Sequence, residues 1–410
     1  MRATFFCLGV MCILSQACDD DGTSSGDLAV RDMAATDDGS VDLSTPRQYL
    51  FVSASGDNTV RVFTMDEQLT PVKTIPVCNT PAEVRGRKDG KVVWTVCRAP
   101  VASDPGQAAI IDTETLTVKQ TVEVGVRPTH SYAFPDGKRA IVCNDGAPSA
   151  TVIDTDTGAT QTLTTETGHK KVAFAIDGDS GPLRFMYVTS SSTSKMNVFD
   201  AQLQPVTTLD VGQSPHGMSY SVRSKRVYNC SGDASNNVEV ISTDGATPHT
   251  IIARIPLAGG RCSHLEVTAD GRYAVGSIGA TGKLARIDVD DNSVTYLDGG
   301  RGPDWFAFWQ GSAWIADTGD WTVYHVLLAG GAGAALRSGP DLTMLDGSTP
   351  STGSRGLAFY NEWIFVANQG LNNVTVVNAE HGHVHATLDN IPGARNAAVG
   401  GGGAGNPYPR

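Results

Sequence analysis

One short unit recurs along almost the whole chain: an apolar strand pattern, a polar turn, an alternating strand ending in an Asp-Thr-like turn, a further strand, then Gly or Pro. Its clearest copies pair Arg139–Cys143 with Ala150–Asp154, and Arg226–Cys230 with Asn237–Ile241. Equivalent second strands run over Tyr49–Ser53, Val92–Val96, Arg184–Val188, Tyr273–Ser277, Ser312–Ala316 and Trp363–Ala367. Their spacing is about 40 to 50 residues, the length of one four-stranded blade. Lys88-Asp89-Gly90, Pro135-Asp136-Gly137 and Ala269-Asp270-Gly271 supply tight turns between first and second strands. No such unit can bury both faces alone, so the units must stack. The fold class that follows is all-β, a closed β-propeller of four-stranded antiparallel blades. The copies number eight, or seven if the weak repeat around Trp321–Leu345 is a long insertion. The array begins at Tyr49 with a second strand, and the missing first strand returns as Ala394–Val399. One blade is thus shared between the termini, which removes the open sheet edges.

The N-terminal segment reads differently. Arg2, the apolar run Phe5–Leu14 and the small residues Ser15 and Ala17 form an export signal over residues 1–17. Cys18 follows directly, as in the lipobox of bacterial lipoproteins, although that pattern has Leu where this chain has Ser15. Residues 18–47 are rich in Asp, Ser, Gly and Thr and are expected to form a solvated tether behind a lipidated Cys18. The expectation is an exported, membrane-anchored cell-envelope lipoprotein, periplasmic or at the cell surface; Ser15 and Ala17 also suit ordinary cleavage, so a free secreted protein and a retained membrane anchor are the alternatives. The propeller spans 48–400, and 401–410 is a Gly-rich tail. The formal charge of −12 argues against nucleic-acid binding. Much of it is local: Asp19–Pro46 holds eight aspartates and one arginine. Outside the first twenty residues no stretch is apolar for long enough to cross a bilayer.

Several segments resemble the YVTN-type, YncE-like family of exported propellers. They are Asp57-Asn58-Thr59-Val60, Pro135-Asp136-Gly137-Lys138-Arg139, Val211-Gly212-Gln213-Ser214-Pro215-His216-Gly217, and Phe365-Val366-Ala367-Asn368 followed by Asn372-Asn373-Val374-Thr375-Val376-Val377. The resemblance covers roughly residues 48 to 400. It implies the fold and says little of function, because the family includes surface, scaffold, ligand-binding and enzymatic proteins. Seven blades are usual there, so an eighth is a departure.

In a propeller, the loops entering first strands and those leaving second strands open on one face. Aligning the incoming loops on their Pro or its equivalent brings together Ala82, Thr129, Lys170, His216, Ser263, Asp304, Arg355 and Arg395. The next positions are Glu83, His130, Lys171, Gly217, His264, Trp305, Gly356 and Asn396, with His169 just ahead of its two lysines. The expected ligand site is a central pocket of Glu83, His130, His216, His264, Asp304, Trp305 and Arg355. Imidazoles converging from separate blades could bind copper or zinc, with His130, His216 and His264 as ligands; alternatively the polar residues border a water-filled channel. Cys78 with Cys97 and Cys230 with Cys262 are expected disulfides between rim loops, leaving Cys143 unpaired, although spacing alone does not fix connectivity. His383 and His385, two apart on a strand, could clamp a second metal. Gly22-Thr23-Ser24-Ser25-Gly26 matches G-x-S-x-G but lies in the tether. No H-E-x-x-H, C-x-x-C-H, Walker or EF-hand pattern occurs. The function expected is a monomeric binding scaffold whose top face takes a small molecule or an envelope protein. A metal-dependent enzyme and a lactonase-like hydrolase using Glu83, a histidine and Arg355 are the alternatives.

Overall fold

Why the repeat folds as it does is visible in its turns. In the computed structural model, Gly90, Gly137 and Gly271 sit at φ of +72°, +68° and +69°, which the Asp-Gly turns require. Asn58 and Asn372 take the same left-handed region, at +61° and +58°, where second strands turn into third. Aspartates end the third strands: Asp154 Oδ1 accepts the N–H groups of Asp156 and Thr157, and Asp112 does the same for Glu114 and Thr115. The structure describes residues 48–178, 180–232, 236–317, 323–328 and 354–401, with the backbone alone at 354–356 and 401. These residues belong to the unit Leu43–Arg410. The signal, Cys18, the tether, Gly22–Gly26 and the tail beyond 401 lie outside the described residues, as does the side chain of Arg355.

The strands form eight antiparallel sheets. Blade 2 is representative, with Pro81–Gly86 innermost, then Val92–Cys97, Pro105–Asp112 and Thr117–Val126. The second strands of the eight blades are Gln48–Ala54, Val92–Cys97, Arg139–Asn144, Leu183–Ser190, Arg226–Ser231, Tyr273–Ile278, Ser312–Asp317 and Trp363–Asn368. Each contains the segment expected from the repeat. Blade 7 shows three strands among the described residues, ending with Val323–Leu327. That strand lies within the doubtful repeat and is paired into its own sheet, so the count is eight. Blade 1 closes as anticipated: Ala394–Gly401 pairs antiparallel with Gln48–Ala54, placing Val399 opposite Leu50 and Ala397 opposite Val52.

The apolar core is distributed between blades rather than gathered at a centre. Phe51 and Val62 of blade 1 pack on Val84, Val93 and Ile111 of blade 2. Trp94 and Val96 pack on Ala140, Val142 and Ile153, and Ile141 and Cys143 on Met186 and Val188. The series runs on through blades 4 to 8 until Phe365 and Val374 of blade 8 meet Leu50 and Val52 of blade 1. The first blade is therefore packed against the last, and the ring is closed by side chains as well as by a strand. Both expected disulfides form, Cys78–Cys97 and Cys230–Cys262, and Cys143 remains a buried free thiol.

Candidate functional site at the hub

The beginnings of several innermost strands, and the loops just ahead of them, bring polar and aromatic side chains together around the ring. Glu83 and His130 lie in Pro81–Gly86 and Pro128–Ala133, Lys171 directly precedes Val172–Ile176, His264 precedes Leu265–Val267, and Trp305 lies in Pro303–Trp309. His169 and His216 stand slightly earlier, in the loops into blades 4 and 5. Five aromatic rings from five successive blades then close on one another. His130 and His169 have ring centroids 4.8 Å apart, His169 and His216 4.9 Å, His216 and His264 5.2 Å, His264 and Trp305 4.1 Å, and Trp305 and His130 6.0 Å. Lys171 sits with this circuit, its Nζ 4.8 Å from the Trp305 ring centroid.

A chain of hydrogen bonds fixes one side of the hub. Glu83 Oε1 lies 2.6 Å from His130 Nδ1, Glu83 Oε2 accepts the Ser131 N–H at 2.8 Å, and Arg85 stands 3.4 Å from Oε1. On the other ring nitrogen, Lys171 Nζ donates to His130 Nε2 at 3.2 Å. Burial would raise the Glu83 pKa, but Arg85, His130 and the donated N–H outweigh it and hold the carboxyl well below its ordinary range. Burial, with the Lys171 charge, pushes His130 down to about 4, so the ring is neutral at pH 7. Burial also lowers the Lys171 pKa, against the pull of Glu83. Glu266 moves the opposite way: desolvation raises it to about 7 against the opposing pull of Lys171.

The remaining imidazoles are anchored in the same manner. His169 Nδ1 bonds Asp145 Oδ2 at 2.8 Å, His216 Nδ1 bonds the Ser263 carbonyl, and Asp304 Oδ1 lies 2.8 Å from His264 Nδ1. The Nε2 atoms of His169 and His264 are buried with no hydrogen-bond partner among the described residues. Beside His169 a cavity of about 470 Å³ opens, lined by Arg98, Arg127, Thr129, Asp145, Ser191 and Ser192 among others. Its walls are loops of blades 2, 3 and 4 on the face anticipated from the repeat.

The structure thus gathers Glu83, His130, His216, His264, Asp304 and Trp305. It adds His169, Lys171, Arg85, Glu266 and Asp145, none of which the sequence-based pocket contained. Lys171 and His169 stood in the loop alignment, and the signal was there: Lys171 occupies the same register as Glu83 and His130, and His169 stands two positions ahead of it. Lys170, equally prominent in that alignment, turns away and donates to the carbonyls of Asn144, Ala147 and Gly168.

Two metal arrangements were expected. Among the described residues, no group of three or more His, Cys, Asp or Glu side chains is placed to hold a metal ion. His130, His216 and His264 adjoin, but both nitrogens of His130 are engaged and one partner is the Lys171 ammonium. Two like unit charges 4 Å apart cost about 4 kcal/mol at the effective dielectric of a protein site, and a divalent ion costs more. His383 and His385 stand across a register shift, where Val377 meets Val384 while Val376 meets Ala386. His385 instead packs on Trp363 and donates to the Glu67 carbonyl. Glu83, the carboxylate of the lactonase-like alternative, is already saturated by His130, Ser131 and Arg85.

No family model matches the sequence, and no curated protein matches it. Solved structures do match in fold. Apo AztD from Citrobacter koseri superposes with a TM-score of 0.64 at 14% identity, covering 87% of this chain and 98% of that one. Dihydro-heme d1 dehydrogenase NirN, in complex with DHE, superposes with a TM-score of 0.64 at 16% identity, covering 85% and 73%. A functionally unknown protein from Desulfotomaculum acetoxidans DSM 771 gives 0.52 at 13% identity, covering 72% and 95%. At such identities the likeness establishes the propeller and nothing about chemistry.

Proposed function

We propose that this chain is an exported, lipid-anchored binding protein whose propeller holds a small organic molecule at its hub. The observation that carries this reading is the circuit of five aromatic rings around a buried lysine. A hub that served only to hold blades together would be filled with apolar side chains. This one buries Glu83, His130, Lys171 and His264, and desolvating polar groups is costly unless their hydrogen bonds are completed. The two bare Nε2 atoms find no partner among the described residues. The adjoining cavity reaches His169, and a rigid ring with variable loops suits recognition without bond making. The YVTN-like repeat segments and the signal, cysteine and Asp-rich stretch at the N-terminus support an envelope setting.

The test is an inventory, by native mass spectrometry, of protein purified from its own envelope. We expect a stoichiometric small molecule that is lost in Trp305→Ala while the circular dichroism spectrum is unchanged. Protein that arrives without one, and whose unfolding temperature no metabolite mixture shifts, contradicts the reading. Anchoring is tested separately: Cys18→Ala should move the protein from the membrane fraction to the soluble fraction, and unaltered membrane association counts against the lipid.

A further inference from the structure

The donor and acceptor pattern of the buried groups narrows the class of that molecule. A carboxylate at Nδ1 keeps the imidazole proton there and leaves Nε2 a bare acceptor. Asp145 does this for His169 through a 2.8 Å hydrogen bond. Asp304 does it for His264 at 2.8 Å by charge, without an aligned hydrogen bond. Both Nε2 atoms are buried and unpartnered among the described residues, and His264 is only 9% exposed. Lys171 presents the opposite need. It is 5% exposed, carries three donors, gives one to His130 Nε2, and pairs with no carboxylate among the described residues. Between these groups lies the Trp305 ring, 4.1 Å from His264 and 4.8 Å from Lys171 Nζ.

We infer that the hub takes a small planar organic acid that also bears a hydroxyl or amino group, of the hydroxybenzoate kind. The carboxylate lies on Lys171, the flat face lies against Trp305 once that ring parts from His264, now 4.1 Å away, and the O–H or N–H donates to Nε2 of His169 or His264. A divalent cation would meet the Lys171 ammonium, and a neutral polyol would leave that charge balanced only through space by Glu83 and Glu266, without a direct ion pair. Arg98 and Arg127 on the cavity wall put positive charge along the path that ends at His169, which favours the approach of anions. This inference rests on the hub being a ligand site.

Isothermal titration of the full-length protein with 4-hydroxybenzoate, benzoate, 4-hydroxybenzamide and zinc chloride tests it. We expect 4-hydroxybenzoate to bind, and both benzoate, which lacks the donor, and the amide, which lacks the charge, to bind at least about tenfold more weakly. Lys171→Met should erase the preference for acid over amide, and Lys171→Arg should keep it. Replacing His169 and His264 together by Phe should erase the preference for the hydroxyl; circular dichroism checks that each variant is folded. Equal affinity for acid and amide overturns the inference, as does zinc binding in competition with the acid. If the molecule carried from the envelope is neutral or cationic, the inference falls while the hub remains a ligand site. If neither a carried molecule nor any probe binds, both fall.

Discussion

Glu266 shows how the hub tunes a single side chain. It is half-buried, accepts a hydrogen bond from Ser219 at 3.3 Å, and faces the charges of Lys171 and Arg85, yet desolvation prevails and raises its pKa from 4.5 to about 7. The folded state therefore favours the protonated carboxyl. Between those two values the unfolded chain loses this proton while the folded chain keeps it, so stability falls as pH rises through the window. A shift of that size corresponds to at most about 3 kcal/mol, reduced by whatever water reaches the group. Glu266→Gln should accordingly stabilise the protein at pH 8, hardly alter it at pH 4, and flatten the dependence of chemical-denaturation midpoints on pH in between. A variant no more stable than the parent at pH 8 would show that Lys171 and Arg85 compensate the carboxylate fully.

At the scale of strands and loops, the two disulfides do the work that short rim loops cannot. Cys230 ends a second strand of blade 5 and Cys262 lies in the loop entering blade 6, so their bond ties adjacent blades beside His216 and His264. Both cysteines are almost wholly buried. Closing a loop of 32 residues restricts the unfolded chain by about 3 to 4 kcal/mol. Replacing both cysteines by Ser is expected to lower the unfolding free energy by about that amount in guanidinium titrations. The Cys143 thiol, raised far above its usual pKa by burial, should resist iodoacetamide until the protein unfolds. Element geometry also sets the surroundings of the His383–His385 pair: beside the register shift at Val377, His385 lies against Trp363 and the Glu67 carbonyl.

For the ring as a whole, closure is the step on which everything else depends. The strand Ala394–Gly401 covers the inner edge of Gln48–Ala54, whose Leu50, Phe51 and Val52 are fully buried. Truncation after Gly393 leaves that edge open and separates blade 8 from blade 1, so the shortened chain should aggregate or lose cooperative unfolding. Size-exclusion chromatography with thermal denaturation decides it; a monomeric truncation that melts like the parent would mean closure contributes little.

Strand positions, Asp-Gly turns and the return of the missing first strand were all legible in the sequence, because each depends on local alternation and turn chemistry that neighbouring residues dictate; the blade number stayed between seven and eight until the strand Val323–Leu327 was seen in its sheet. The same repeat placed Glu83, His130, His264 and Trp305 in one register, so their convergence was foreseeable. Side-chain direction was not: Lys170 and Lys171 are adjacent and chemically identical, yet one caps loop carbonyls and the other joins the rings. Nor could spacing reveal that Asp145 would orient His169, or that an ammonium would stand where a metal was anticipated. Those outcomes depend on contacts between blades far apart in the chain, and only the closed ring brings them within hydrogen-bonding distance.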